Sequence, residues 1–177
     1  SRLRSMPRTS LSENRGIDYK DEKKLLYNLP ERNKILNFIF KNIPDGQNSL
    51  ILLNETDHLQ LVKEHIEKTF DKKYKLLIIH GGIKPAKREH IRNLMEVEKN
   101  LILLASFGTT SVGINIKSIE NVIIFSSSKS LIRILQSIGR GLRLLEGKTK
   151  VVIWDIVDSL RYKTKSGNTV YNHLFKH

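Results

Sequence analysis

The sequence of 177 residues contains no cysteine. That excludes disulfides and thiolate metal sites and fits a reducing, cytoplasmic setting (host cytoplasm for a viral protein). No apolar run approaches the ~20 residues that a bilayer-spanning helix needs, so no membrane association is expected. The first 16 residues are basic and polar, without the apolar stretch of a secretory signal. Nothing matches GxxxxGK followed by Ser or Thr, the loop whose amides cradle nucleotide phosphates. The nearest pair, Gly147-Lys148, has no glycine-rich stretch before it, and no apolar run ends in Asp-Glu. None of the six histidines has metal-ligand spacing, so no protein-bound metal is expected. Aromatic residues are only 7% and scattered, which leaves no evident platform for stacking.

Acid is also scarce. Lys and Arg number 31 against 18 Asp and Glu, a formal net charge of +13. Such a surplus points to a polyanionic partner, because basic residues gain affinity by releasing counterions from phosphates. A solvated surface in a Lys-rich proteome is the alternative account of the charge alone. Hydrophobic residues at 39% and charged residues at 28% suffice for one packed core. The expected organisation is a flexible lead-in over 1–16, one domain over 17–160, and a basic tail over 161–177 that begins a further element.

The apolar pattern changes period regularly along the domain. Helical spacing marks 19–28 and 31–42, where Ile35, Leu36, Ile39 and Phe40 recur, and Asp45-Gly46 then makes a turn. Five short apolar runs follow at 49–53, 75–79, 101–105, 121–125 and 150–156. Each is apolar on both faces, as a strand covered on two sides must be. Helical segments at 58–70, 84–98 and 129–144 separate them, and the tail ends in a short helical stretch over 169–177. Strand and helix in alternation predict an α/β fold, a parallel sheet of about five or more strands with helices on both faces. Ligands then bind at the carboxyl ends of the strands.

One motif carries most of the chemistry. In QSIGRGLR at 136–143, Gln136, Gly139, Arg140 and Arg143 fall at i, i+3, i+4 and i+7 and share one helical face. Ile132, Leu135, Ile138, Leu142 and Leu145 cover the other side. Two guanidiniums one turn apart grip phosphate oxygens, and the glycine lets a ligand or backbone approach. A surface helix with ordinary arginines is the plainer account. The pattern QxxGRxxR resembles motif VI of superfamily 2 helicases. That resemblance implies an arginine finger at Arg143, a second phosphate contact from Arg140, and nucleotide-side roles for Gln136 and Gly139. A finger of this kind is worth ~10³–10⁵ in rate.

The neighbouring segments agree. ASFGTTSVGIN at 105–115 runs from a strand into small hydroxyl residues and glycines, and resembles motif V. The resemblance implies nucleic-acid contacts from Ser106, Thr109, Thr110 and Ser111, and nucleotide contacts from Gly113 and Asn115. Many family members carry Asp at the place of Asn115, and the stretch is about one residue longer than in DEAD-box proteins. Both features look closer to phage UvsW-type and Swi2-like helicases. LILLNET at 50–56, with Thr56 or Asp57 able to cap the next helix, resembles motif IV and implies strand contacts from Asn54 and Thr56. His80-Gly81-Gly82 with Arg88 resembles the HGG…R element of the same lobe. Its paired glycines suit a turn with positive φ, and His80 reads as a satisfied loop histidine. Phe107 is the one aromatic beside a motif. Glu31-Arg32-Asn33 and the closing 154–158 also look like the UvsW-type group.

The resemblance covers roughly 31–160 and implies the RecA-like C-terminal lobe of an ATP-dependent DNA helicase. ATP with Mg²⁺ would be bound mainly by an N-terminal RecA-like lobe of the same chain, and single-stranded or branched DNA along the rim. A monomer is expected, and the lobe alone should not hydrolyse ATP. Two alternatives stay open: a basic RecA-like nucleic-acid-binding module with no nucleotide role, and an RNA helicase lobe.

Overall fold

The computed structural model describes residues 19–70, 73–110, 118–126, 150–158, 161–163, 166–167 and 169–171. Two helices lead in: α1 (Tyr19–Tyr27) and α2 (Pro30–Asn42). Then come β1 (Asn48–Leu53), α3 (Thr56–Phe70), β2 (Lys75–Ile79), α4 (Pro85–Val97), β3 (Leu101–Ser106), the single turn α5 (Phe107–Thr110) and β4 (Ile119–Ile124). β5 (Val152–Asp155), β6 (Arg161–Lys163) and β7 (Thr169–Tyr171) follow. Pro30 and Pro85 open α2 and α4, where a missing N–H costs nothing and the fixed φ suits the first turn.

The expected sheet is present, five-stranded in the order β2-β3-β1-β4-β5, with every pairing parallel. One transverse row runs Leu77, Leu103, Leu50, Val122, Ile153. Side chains alternate between two cores, as the strand period requires. Leu50, Leu52, Leu103 and Val122 face Ile91 and Met95 of α4. Ile51, Leu53, Leu104 and Ile123 face Leu36 and Phe40 of α2, and Val62 and Ile66 of α3. Helices therefore cover both faces, and the central strands β1, β3 and β4 are buried nearly throughout. β2 and β5 are more open than the sequence pattern implied, because they lie at the two ends of the described sheet. The expected helix over 129–144 lies outside the described residues.

The amino edge of the sheet is locked by polar groups. Asn48 is fully buried and donates to the carbonyls of Met95 (3.1 Å) and Glu98 (3.0 Å) while accepting from the Leu101 amide (2.9 Å). It thus ties the end of α4 to the starts of β1 and β3. The predicted turn at Asp45-Gly46 is present, with Gly46 at φ 85°. Asn100 takes a left-handed conformation (φ 58°) and accepts the Gly46 amide at 2.7 Å.

The tail departs from expectation. Thr169–Tyr171 is not helical but pairs antiparallel with Arg161–Lys163, through a bend where Gly167 has φ 81°. Thr169, Val170 and Tyr171 are β-branched or aromatic, and a glycine free to turn precedes them, so the strand preference wins locally. Residues 172–177 lie outside the described residues.

Candidate functional site

Successive strands leave β1 toward β2 on one side and return to β4 on the other, so the order reverses at β1. A parallel sheet opens its ligand crevice at the carboxyl side of such a reversal. The loops that the sequence singled out emerge along that rim in the spatial order β2, β3, β1, β4, β5.

After β2, His80, Gly81 and Gly82 form a tight turn closed by the Ile83 amide on the His80 carbonyl (3.1 Å). The Gly82 amide donates to Nδ1 of His80 (3.2 Å), so that nitrogen is an acceptor and the histidine is satisfied within its loop. The expected positive φ is absent: among the described glycines it occurs at Gly46 and Gly167. Gly82 serves instead by lacking a Cβ, which would lie 3.3 Å from the His80 ring. Arg88 bends back from α4 and donates to the carbonyls of Ile83 (2.9 Å) and Gly81 (3.0 Å). Its guanidinium shapes the loop before it touches anything else, while Gly81 and Gly82 remain exposed.

After β3, Ser106 and Thr109 share a hydroxyl–hydroxyl hydrogen bond of 2.7 Å. Thr109 is buried, Ser106 is half-buried, and Thr110 ends α5. Phe107 packs against the core on the α4 side, which removes it as a stacking platform. Ser111, Gly113, Asn115, Gln136, Gly139, Arg140 and Arg143 lie outside the described residues.

The loop after β1 is the most tightly built. Asn54 is half-buried, Thr56 is exposed at the start of α3, and Lys23 of α1 pairs with Glu55 between them. Beneath this loop lies a polar network that sequence reading did not assemble. Arg32 of α2 grips Asp158 by a two-pronged contact, Nε to Oδ1 at 2.9 Å and Nη2 to Oδ2 at 3.0 Å, and also donates to the Phe125 carbonyl. Its plane lies 4.3 Å from the Phe125 ring centroid. Its Nη1 meets Nε2 of His58 at 3.3 Å, and His58 Nδ1 meets Ser126 Oγ at 3.0 Å. Ser126 Oγ also accepts the Asn54 amide at 3.2 Å.

The protonation states follow from donor counting. A guanidinium only donates, so His58 Nε2 accepts and Nδ1 carries the hydrogen toward Ser126. Burial, then the charge of Arg32, pushes His58 down to about 3, which keeps it neutral. Burial pushes the Tyr27 phenol up, with its hydrogen bond to Ser126 pulling the other way. Tyr27 stacks on His58 at 3.9 Å, nearly parallel. The residues responsible were in view in the sequence, since Arg32 and Asp158 lie in the two segments that look UvsW-like. Their pairing across 126 positions was not.

Among the described residues no three His, Asp or Glu side chains converge as they would to hold a metal ion, and Asp158 is taken up by Arg32. No helix among them is long and apolar enough to cross a membrane.

Residues 31–144 match the family model of the helicase conserved C-terminal domain. The chain belongs to that family. This helicase C-terminal lobe is 32% identical over 169 residues to the ATP-dependent DNA helicase uvsW of Enterobacteria phage T4, covering 92% of this chain and 33% of that protein. The crystal structure of T4 UvsW superposes with a TM-score of 0.69 at 30% identity, over 91% of this chain and 33% of that one. The lobe therefore spans about a third of the length of that relative. The C-terminal part of the Fun30 ATPase domain (TM-score 0.56, 22% identity, 76% of this chain and 40% of that one) shares the fold. So does domain 2 of the DEAD-box helicase Mss116p bound to an RNA duplex (0.56, 17%, 75% and 50%).

Proposed function

We propose that this lobe is the second motor domain of an ATP-dependent DNA helicase or translocase that remodels forked or branched DNA. The observation that carries the reading is the rim itself. In a chain matched to the helicase C-terminal family over 31–144, three loops of strand-contact type emerge side by side from a parallel sheet. Asn54 and Thr56 stand at one, Gly81 and Gly82 at another with Arg88 bent back onto it from α4, and Ser106, Thr109 and Thr110 at the third, with Ser111 next in the sequence. Amides and hydroxyls of this kind hold the phosphates of one strand and carry little sequence information, so binding is salt-sensitive and weakly sequence-dependent.

The nucleotide side is assigned from the sequence. Arg143 and Arg140 reach the phosphates from this lobe, and Gln136, Gly139, Gly113 and Asn115 line the same cleft. ATP, held with its Mg²⁺ mainly by a first lobe of the same polypeptide, supplies the γ-phosphate that the arginines bridge. Lobe closure brings the rim and the arginines into one action, and reopening shifts the grip along the strand. DNA is chosen over RNA because T4 UvsW, at 32% identity, is a DNA helicase. The protein acts as a monomer in the cytoplasm.

The test is ATP hydrolysis by the two-lobe protein, with and without single-stranded and forked DNA, beside the 177 residues alone. DNA-stimulated hydrolysis by the former and silence from the latter are expected. Hydrolysis indifferent to DNA, or stimulated by RNA alone, would sink the reading.

A further inference from the structure

The exposed part of the β1–α3 loop is short, and its backbone is aimed by groups that never reach its surface. The Asn54 amide ends on Ser126 Oγ. That oxygen is oriented by His58, and the donor face of His58 is dictated by Arg32. Arg32, His58 and Ser126 are all buried, so none of them is available to a ligand. Filling space between Tyr27 and Phe125 would need only an apolar side chain, yet the position holds an imidazole with both nitrogens engaged. Packing alone gives no reason for that.

We infer that His58 and Ser126 are positioning residues for nucleic-acid binding, setting the Asn54–Thr56 loop against the strand through the hydrogen-bond chain Arg32, His58, Ser126, Asn54. This rests on the reading of that loop as strand-facing. The chain also explains why the donor on His58 must be Nδ1. With its hydrogen on Nε2, the ring would point a donor at the Arg32 guanidinium, which only donates, and Ser126 would have to supply the hydrogen to Nδ1.

Two substitutions separate positioning from packing. His58→Leu keeps the bulk and removes both nitrogens. His58→Asn loses bulk but places an amide N–H where Nδ1–H was. Binding of a fluorescein-labelled single-stranded DNA by the full-length protein is read by anisotropy, and thermal midpoints are read alongside. His58→Leu is expected to weaken binding about fivefold, the worth of one ordered hydrogen bond, with His58→Asn within about twofold of wild type. The thermal order is expected to be the reverse, the buried leucine being the better tolerated. Wild-type affinity in His58→Leu overturns the inference, as does a binding loss in His58→Asn as large as in His58→Leu. Wild-type protein that binds DNA but shows no DNA-stimulated hydrolysis refutes the motor reading and leaves the comparison of variants to decide this one.

Discussion

Arg32 and Asp158 stand 126 positions apart and meet in a two-pronged ion pair whose side chains are 3% and 10% exposed. The contact bolts the start of α2 to the chain leaving β5, and the same guanidinium holds the Phe125 carbonyl at the exit of β4. Two ends of the domain are closed over the reversal point of the sheet by one side chain.

Removing that side chain should be costly. Arg32→Ala strands a buried carboxylate and a carbonyl, and breaking a buried pair from one side costs about 3–5 kcal/mol. Arg32→Lys keeps the charge but not the fork and should fall in between. Urea unfolding of the two variants, of Asp158→Leu and of Arg32→Ala/Asp158→Leu tests this. A double variant no better than the sum of its singles would show that the pair is not coupled.

His58 makes stability depend on acid. Its folded value of about 3 lies below the ordinary 6.5, so between those values the unfolded chain binds a proton that the folded chain refuses. Stability is therefore full above pH 6.5 and falls as pH drops toward 3, by up to about 1.4 kcal/mol per pH unit from this group. Urea midpoints at pH 7, 5 and 4 should show a shallower decline in His58→Leu than in wild type. Parallel curves would remove His58 as the cause.

Asn48 predicts a loss of stability without loss of binding. Asn48→Ala takes their side-chain partner from the Glu98 carbonyl and the Leu101 amide at the amino edge, while the Met95 carbonyl keeps the Ser118 hydroxyl, at a cost of about 2–3 kcal/mol. The loops proposed to face DNA lie at the opposite edge, so affinity measured well below the melting temperature should be unchanged.

Arg143→Ala in the two-lobe protein should lower DNA-stimulated ATP hydrolysis by about 10³-fold or more, with strand binding largely kept. Equal loss of binding and hydrolysis would favour a binding module over a motor.

The parts of the fold legible in the sequence are those dictated by local chemistry. Leu50 to Leu53, Leu101 to Ala105 and Val122 to Phe125 are apolar on both faces because both faces are covered. Pro30 and Pro85 mark helix starts for the reason given by their rings. Gly81 and Gly82 were misread because a glycine pair signals either an unusual φ or a missing Cβ, and the sequence does not distinguish them. Residues 169–171 were misread because their apolar spacing suits a helix, whereas pairing with Arg161–Lys163 is a non-local event. Asn48 lies just outside the expected run over 49–53 and was not singled out, since its value depends on carbonyls at Met95 and Glu98 that only the fold brings near. The rim loops were legible by their motifs, but the Arg32–His58–Ser126 chain beneath them joins three elements with no shared spacing.

Trp154 is the sole tryptophan of the chain. It sits half-buried on β5, four residues before Asp158, with its indole N–H 3.4 Å from Asn121 Oδ1 on β4. The lobe therefore carries a built-in optical reporter at the joint between its last two parallel strands. Excitation at the red edge, where the five tyrosines are dark, follows that joint without a label. An emission shift to longer wavelength that precedes the loss of helical ellipticity would mark β5 peeling from β4 while the rest of the sheet still stands.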